Sequence, residues 1–171
     1  GSDAWGGKQM KLCYMEKAEK KLWLPRLFDL FYENMSVIAP SGMDYAAERE
    51  EWLANVSPAL DKAPRQVLLA LDGEELAGFV MFYTRSDLLM VEEVQLRGEY
   101  RGGLLFLRLC RKLLADLPKE IRTVEAYAHR QNDHSRKLMN RLGMAELPEL
   151  GPFVHLRGAA EEIGKRLRPV R

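Results

Sequence analysis

Hydrophobic spacing along the chain changes period several times, and each change marks an element. Met10 to Met15 reads as a short first strand. Phe28, Phe31, Tyr32 and Met35 recur at i, i+3, i+4 and i+7, the spacing of one helical face. Pro25 suits the first turn of that helix. The segment APSG at 39–42 has the composition of a loop. Ser41 with Asp44 three residues on resembles a capping box. It opens a second helix that carries Trp52, Leu53 and Val56 on one side and ends before Pro58.

The period then shortens. Val67 to Leu71 is a short apolar strand, Asp72-Gly73 a two-residue turn signal, and Leu76 to Tyr83 the returning strand of a β-hairpin. Leu88 to Leu96 is a further strand, followed by a turn at Arg97 to Gly103. A long apolar-rich helix runs from about Leu104 to Leu117 and stops at Pro118. Val124 to Ala128 is a strand, and Asp133 to Leu142 a helix closed by Gly143. Phe153 to Leu156 is a short final strand and Ala159 to Leu167 a terminal helix with a basic end. The order β-α-α-β-β-β-α-β-α-β is that of an α/β fold, a mixed sheet with helices on both faces.

Composition narrows the function classes. The 171 residues suit one domain, taken as 8–171. Residues 1–7, GSDAWGG, begin with a Gly-Ser pair typical of a cleaved tag. Lys and Arg total 26 against 25 Asp and Glu, a net charge of +1, so no nucleic-acid partner is expected. No apolar run approaches the ~20 residues of a membrane span, and no secretory signal is visible. Cys13 and Cys110 form no C-x-x-C pair and read as small core residues. The expectation is a cytoplasmic protein. The sequons at Asn34 and Asn55 are read as chance. His129 and His134 have no metal-site spacing, and no metal is expected.

The most informative stretch is Glu92 to Leu114, where a strand feeds a glycine-containing turn that opens a helix. Helix N-termini carry free N–H groups and partial positive charge, which suits phosphate. Arg97, Arg101, Arg108, Arg111 and Lys112 surround the turn. Arg101, Arg108 and Lys112 share a helical face.

Leu96 to Phe106, LRGEYRGGLLF, resembles the phosphate turn of the GNAT superfamily of N-acetyltransferases, roughly V-x-P-E-Y-R-G-K-G-I-G. Glu99, Tyr100, Arg101 and Gly102 match in register. Leu104 and Phe106 stand where the family has its two later glycines. Asn132 to Met144, NDHSRKLMNRLGM, resembles the family's N-x-x-[AS]-x-x-L-Y-x-x-x-G-F. Asn132, Ser135, Leu138 and Gly143 fit, while Met139 replaces the tyrosine that often serves as general acid.

The resemblance implies a GNAT-like, mostly antiparallel sheet flanked by helices. It also implies acetyl-CoA as co-substrate, held at Arg101, Gly102, Gly103 and Leu104. The pantetheine arm would pair with the strand at Val94, Gln95 and Leu96, whose backbone would stabilise the oxyanion beside a local bulge. Asn132 would bond the arm, assisted by Ser135. An amine with a pKa near 10.4 is almost wholly protonated at pH 7, a penalty of about 4.6 kcal/mol that a carboxylate within reach offsets. Glu92 and Glu93 are the candidates. Strand alternation puts one on each face, and family usage favours Glu92. Tyr127 is the candidate acid for the thiolate.

The sequence thus reads as an N-acetyltransferase moving an acetyl group from acetyl-CoA to a primary amine, on a small molecule or peptide, in a ternary complex. A homodimer is possible, and no membrane partner is expected. The alternative is a GNAT-fold acyl-CoA binder with little or no transferase activity, suggested by Leu104, Phe106 and Met139. The APSG loop and the Trp52 helix are expected to wall the acceptor pocket.

Overall fold

The computed structural model describes residues 10–62, 64–102 and 104–168. Among the described residues, seven strands form one sheet: β1 (Met10–Tyr14), β2 (Gln66–Asp72), β3 (Glu75–Arg85), β4 (Leu88–Leu96), β5 (Thr123–His129), β6 (Ala145–Glu146) and β7 (Phe153–Ala159). Five α-helices of the described residues flank it: α1 (Lys20–Ile38), α2 (Tyr45–Leu60), α3 (Leu105–Asp116), α4 (Asp133–Arg141) and α5 (Ala160–Arg166). The sheet order is β1-β2-β3-β4-β5-β7-β6. Every neighbouring pair is antiparallel except β4 with β5. The mixed, mostly antiparallel sheet expected from the sequence is present, with helices on both faces.

Alternation along the inner strands builds two cores. Val67 and Leu69 of β2, with Phe79 and Met81 of β3, bury against Trp23, Leu24, Leu27 and Leu30 of α1. Leu68 and Ala70 of β2, with Val80 and Phe82 of β3, turn to the other face and join Leu105, Leu109 and Leu113 of α3 and Ile163 of α5. Cys13 and Cys110 are partly buried, one against each core. No helix among the described residues is long and apolar enough to cross a membrane.

Several boundaries differ from the sequence expectation. Helix α1 begins at Lys20, so Pro25 lies inside it rather than in its first turn. Pro58 lies inside α2, in its last turn, instead of beyond its end. One missing amide bond is tolerated there because packing holds each helix. Asp44 alone caps α2, accepting from the Ala47 N–H at 2.8 Å, while Ser41 Oγ accepts from the Met43 N–H. The first hairpin closes over Gly73 and Glu74, because Asp72 pairs with Glu75. Strand β6 is an addition, and β7 runs to Ala159.

The feature that creates the site is an irregularity in β4. Val91 pairs with Phe82 and Glu93 with Met81, leaving Glu92 as an extra residue. A bulge of this kind bends the strand and increases its twist. Pairing between β4 and β5 runs from Leu88↔Thr123 to Val91↔Ala126 and stops at the bulge. Beyond it the strands separate, and Glu92–Leu96 lose their neighbour on that side.

Candidate active site

Two joined cavities occupy the gap between β4 and β5. The first, about 490 Å³, is lined by Val94, Gln95 and Leu96 of β4, by Arg101, Gly102 and Phe106, and by residues 131–135, Leu138 and Met139. The second, about 210 Å³, lies toward α1 and α2 and shares Val94, Gln95, Asn132, Ser135 and Met139 with the first. Glu92, Glu93, Tyr127, Phe31, Met35, Phe153 and Glu48 are among its other lining residues. The sequence-selected residues of β4 and α4 therefore converge on one channel.

The first cavity suits an anion at its outer end. A 3-10 turn at Gly98–Tyr100 leads into Arg101 and Gly102, and α3 follows. Gly102 has φ of +74°, which glycine adopts without strain, and among the described residues a Cβ built there would meet nothing beyond the adjoining chain within 4 Å. The N-cap of α3, Leu104, offers no side-chain bond, and no acidic residue lies in the first turn. The first N–H groups of α3 thus lack a side-chain cap and can serve a ligand. Of the five basic residues picked out around the turn, Arg101 lines the cleft. Arg97 pairs with Glu75 and Glu99, Arg111 donates to the Leu167 carbonyl, and Lys112 pairs with Asp116. The helical face expected for Arg101, Arg108 and Lys112 does not form, because α3 starts at Leu105 and Arg101 lies in the extended segment before it. Leu104 is 51% exposed and is not among the cleft-lining residues. Gly103 lies outside the described residues.

Asn132 caps α4, its Oδ1 accepting from the Ser135 N–H at 3.2 Å, which leaves its amide nitrogen for a ligand in the cleft. Met139 is buried at the junction of the two cavities, where the family tyrosine would present a hydroxyl.

The bulge overturns the expectation that Glu92 and Glu93 take opposite faces: both line the second cavity. Their surroundings differ. Both carboxylate oxygens of Glu92 are held by Arg65, at 2.5 Å each. Glu93 accepts one bond, from Gln95 Nε2 at 2.7 Å. Burial pushes the Glu93 pKa up to about 7; the Gln95 bond opposes this and the nearby Glu92 charge adds to it. Tyr127 is 42% exposed and stacks on the His155 ring at 4.5 Å. Partial burial, then Glu149, Glu125 and Tyr83, push its pKa up, so its hydroxyl is protonated at neutral pH. Ala39 and Ser41 of the APSG loop line the second cavity. From α2 it is Glu48 that lines the cavity; Trp52 packs on Phe28 and Phe31.

The sequence model of the acetyltransferase (GNAT) family matches residues 24–144. The chain belongs to this family. No curated protein matches it significantly in sequence. Solved structures share its fold. An acetyltransferase from Thermus thermophilus superposes with a TM-score of 0.67 at 16% identity, over 88% of this chain and 97% of its own. PaiA N-acetyltransferase from Thermoplasma acidophilum, in complex with coenzyme A, gives 0.64 at 13% identity, over 88% and 99%. A mutant of SpeG spermidine N-acetyltransferase from Vibrio cholerae gives 0.61 at 13%, over 91% and 96%. At these identities the likeness is one of fold.

Within this GNAT domain the structure adds three residues that the motifs did not single out. Asn34, read from sequence as a chance sequon, is 4% exposed and lines the first cavity. Its signal was a polar residue on an apolar helical stripe, after Leu27 and Leu30. Arg65 lies just before β2, and its charge had no visible partner in sequence. His155 is 8% exposed on β7, bonded to Glu125 and, at 3.0 Å, to Glu149; nothing in its local sequence sets it apart.

Proposed function

We propose that this GNAT protein transfers the acetyl group of acetyl-CoA to a primary amine in a ternary complex, with Glu93 as general base. The observation that carries this reading is Glu93 itself, a half-buried carboxyl with a pKa of about 7 in the cavity that meets the cofactor cleft. Raising a carboxylate from 4.5 to about 7 narrows its mismatch with an ammonium group by about 3 kcal/mol. Glu92, preferred from sequence, would have to release Arg65 to do the same work.

The chain's groups fit CoA. The first N–H groups of α3 and Arg101 face its pyrophosphate, and Gly102 leaves room for it. The open edge of β4 at Val94–Leu96 supplies backbone partners for the pantetheine arm, and Asn132 a side-chain partner. Glu93 takes one proton from the bound ammonium group, and the neutral nitrogen attacks the thioester carbon while N–H groups of the β4 edge receive the developing oxyanion. The second nitrogen proton passes to solvent. As the C–S bond breaks, Tyr127 gives the sulfur its proton and, being 42% exposed, recovers one from solvent. The acceptor cavity combines three carboxylates, Glu48, Glu92 and Glu93, with apolar walls from Phe31, Met35 and Phe153, which suits a cationic amine on an apolar stem.

The alternative, a CoA binder with little transfer activity, is favoured by Phe106 in the cleft and by Met139 at the junction. A thiol-release assay with acetyl-CoA and a panel of small amines and peptides separates the two. Turnover with any amine supports the enzyme. Calorimetric CoA binding without turnover across the panel supports the binder, and absence of CoA binding removes both.

A further inference from the structure

A single hydrogen-bonded chain joins the phosphate turn to the carboxyl of Glu93. The Arg101 guanidinium donates to Asn34 Oδ1. Asn34 Nδ2 donates to Gln95 Oε1 at 2.9 Å and to the Leu96 carbonyl at 2.9 Å. Gln95 Nε2 donates to Glu93 Oε1 at 2.7 Å. Asn34 and Gln95 are both buried. Arg101 lines the cofactor cleft at one end, and Glu93 lines the acceptor cavity at the other.

The direction of this chain is fixed by chemistry. A guanidinium only donates and a carbonyl only accepts. Arg101 therefore claims the oxygen of Asn34, and the Leu96 carbonyl claims its nitrogen. The nitrogen of Asn34 in turn claims the oxygen of Gln95, which turns the Gln95 nitrogen to Glu93. A positive charge at the head polarises every bond below it and favours a charged carboxylate at the tail.

We propose that Asn34 and Gln95 are positioning residues that couple occupancy of the phosphate turn to the proton affinity of Glu93. The proposal rests on the reading of Arg101 as a phosphate contact and Glu93 as the base. A pyrophosphate on Arg101 draws the guanidinium from Asn34 or neutralises it in place. Either event weakens the donor that Gln95 presents, and Glu93 binds its proton more tightly. The base gains strength when the cofactor is seated, and by linkage the protonated form of Glu93 favours CoA.

Other groups act on Glu93 as well. Glu92 adjoins it on β4 with Arg65 attached, Glu48 approaches from α2, and Tyr127 and His129 from β5. The test therefore compares variants that keep all of these. The side-chain carboxyl signals of protein labelled with carbon-13 glutamate are titrated from pH 5 to 9, with and without saturating CoA. Loss of a signal in Glu93→Gln assigns Glu93. In the wild type, CoA should raise the Glu93 midpoint by about half a unit or more, a gain of roughly threefold in proton affinity. In Asn34→Leu, which cuts the chain but leaves the Gln95–Glu93 bond, the rise should fall below half that size. In Arg101→Met, altered at an exposed position, the midpoint without CoA should already lie above that of the wild type. Equal CoA-induced shifts in wild type and Asn34→Leu overturn the coupling, as does an unmoved midpoint in Arg101→Met. CoA binding and amine acetylation without any wild-type shift overturn the coupling alone. A wild type that binds no CoA overturns the functional reading and the coupling together.

Discussion

Arg65 grips Glu92 with two parallel bonds, Nε to Oε1 and NH2 to Oε2, each 2.5 Å, while its guanidinium lies 5.1 Å from the centre of the Tyr83 ring. Paired bonds of this kind are among the strongest that side chains make. They bind the bulged residue of β4 to the segment before β2 and occupy the acceptor sites of a carboxylate beside the acceptor cavity. Glu92 is thus a structural strut at the place where the strand bends. In the proposed mechanism the catalytic burden falls on Glu93.

Glu93→Gln is accordingly expected to lower kcat by roughly 10²–10⁴-fold with CoA affinity little changed. Glu92→Gln, which can still accept from Arg65, should lower it less than about tenfold. In the wild type, kcat/KM should rise with pH through about 7 as Glu93 loses its proton, and Glu93→Gln should lack that limb. Steady-state thiol release across pH 5.5–9 measures both effects. A larger loss in Glu92→Gln would reverse the assignment.

The same carboxyl sets a stability profile. Its folded pKa of about 7 lies above the reference value of 4.5, so the native state holds the proton more tightly than the unfolded chain. The contribution from Glu93 is fully present below about pH 4.5 and is lost as pH rises through about 7. Glu93→Gln carries no charge to bury. It should melt at a higher temperature than the wild type at pH 8, with a gain of up to about 3 kcal/mol, and at nearly the same temperature at pH 4.5. Calorimetric melts at the two pH values check this, and an equal gain at both would refute it.

Tyr127 is tested by removing only its hydroxyl. If it protonates the leaving sulfur, Tyr127→Phe lowers kcat and leaves the amine KM little changed, because the bond forms mainly in the transition state. The ring, and with it the stack on His155, remains. A kcat equal to that of the wild type in single-turnover experiments would show that thiolate departs unaided.

Gly102→Ala separates ligand room from protein room. The strained φ of +74° costs about 1 kcal/mol, or roughly 2–4 °C in Tm for a domain of this size. Among the described residues, no protein atom beyond the adjoining chain lies within 4 Å of the added methyl, so the remainder of the effect falls on the ligand. CoA affinity measured by calorimetry should drop about tenfold or more. Unchanged affinity would move the pyrophosphate away from this turn.

Much of the architecture was legible because local chemistry and global fold agree. The alternation from Val67 to Leu71 feeds opposite cores, and Gly143, with φ of +95°, closes α4 as its position in the sequence implied. The prolines misled because their local rule is overridden by packing: Pro25 and Pro58 sit inside helices whose apolar faces hold them. The family resemblance implied a bulge in this strand, but the residues themselves do not place it at Glu92, since both glutamates are ordinary strand positions until pairing with β3 skips one of them. That skip decides which faces the two carboxylates take. The buried path through Asn34 was invisible for a related reason. It depends on a contact between residues 61 positions apart, Asn34 and Gln95, and no local pattern encodes it.

Four residue pairs, Leu88↔Thr123 through Val91↔Ala126, are the whole seam between β4 and β5. The sheet is therefore two leaves bound along a short spine, β1–β4 on one side and β5–β7 on the other. The angle at which the leaves stand open fixes the width of the gap along its entire length. Residues on the spine, Val91 and Ala126 among them, consequently govern what can enter even where they touch no ligand. A change of bulk there re-aims both leaves at once, whereas a change of bulk on a wall alters one contact.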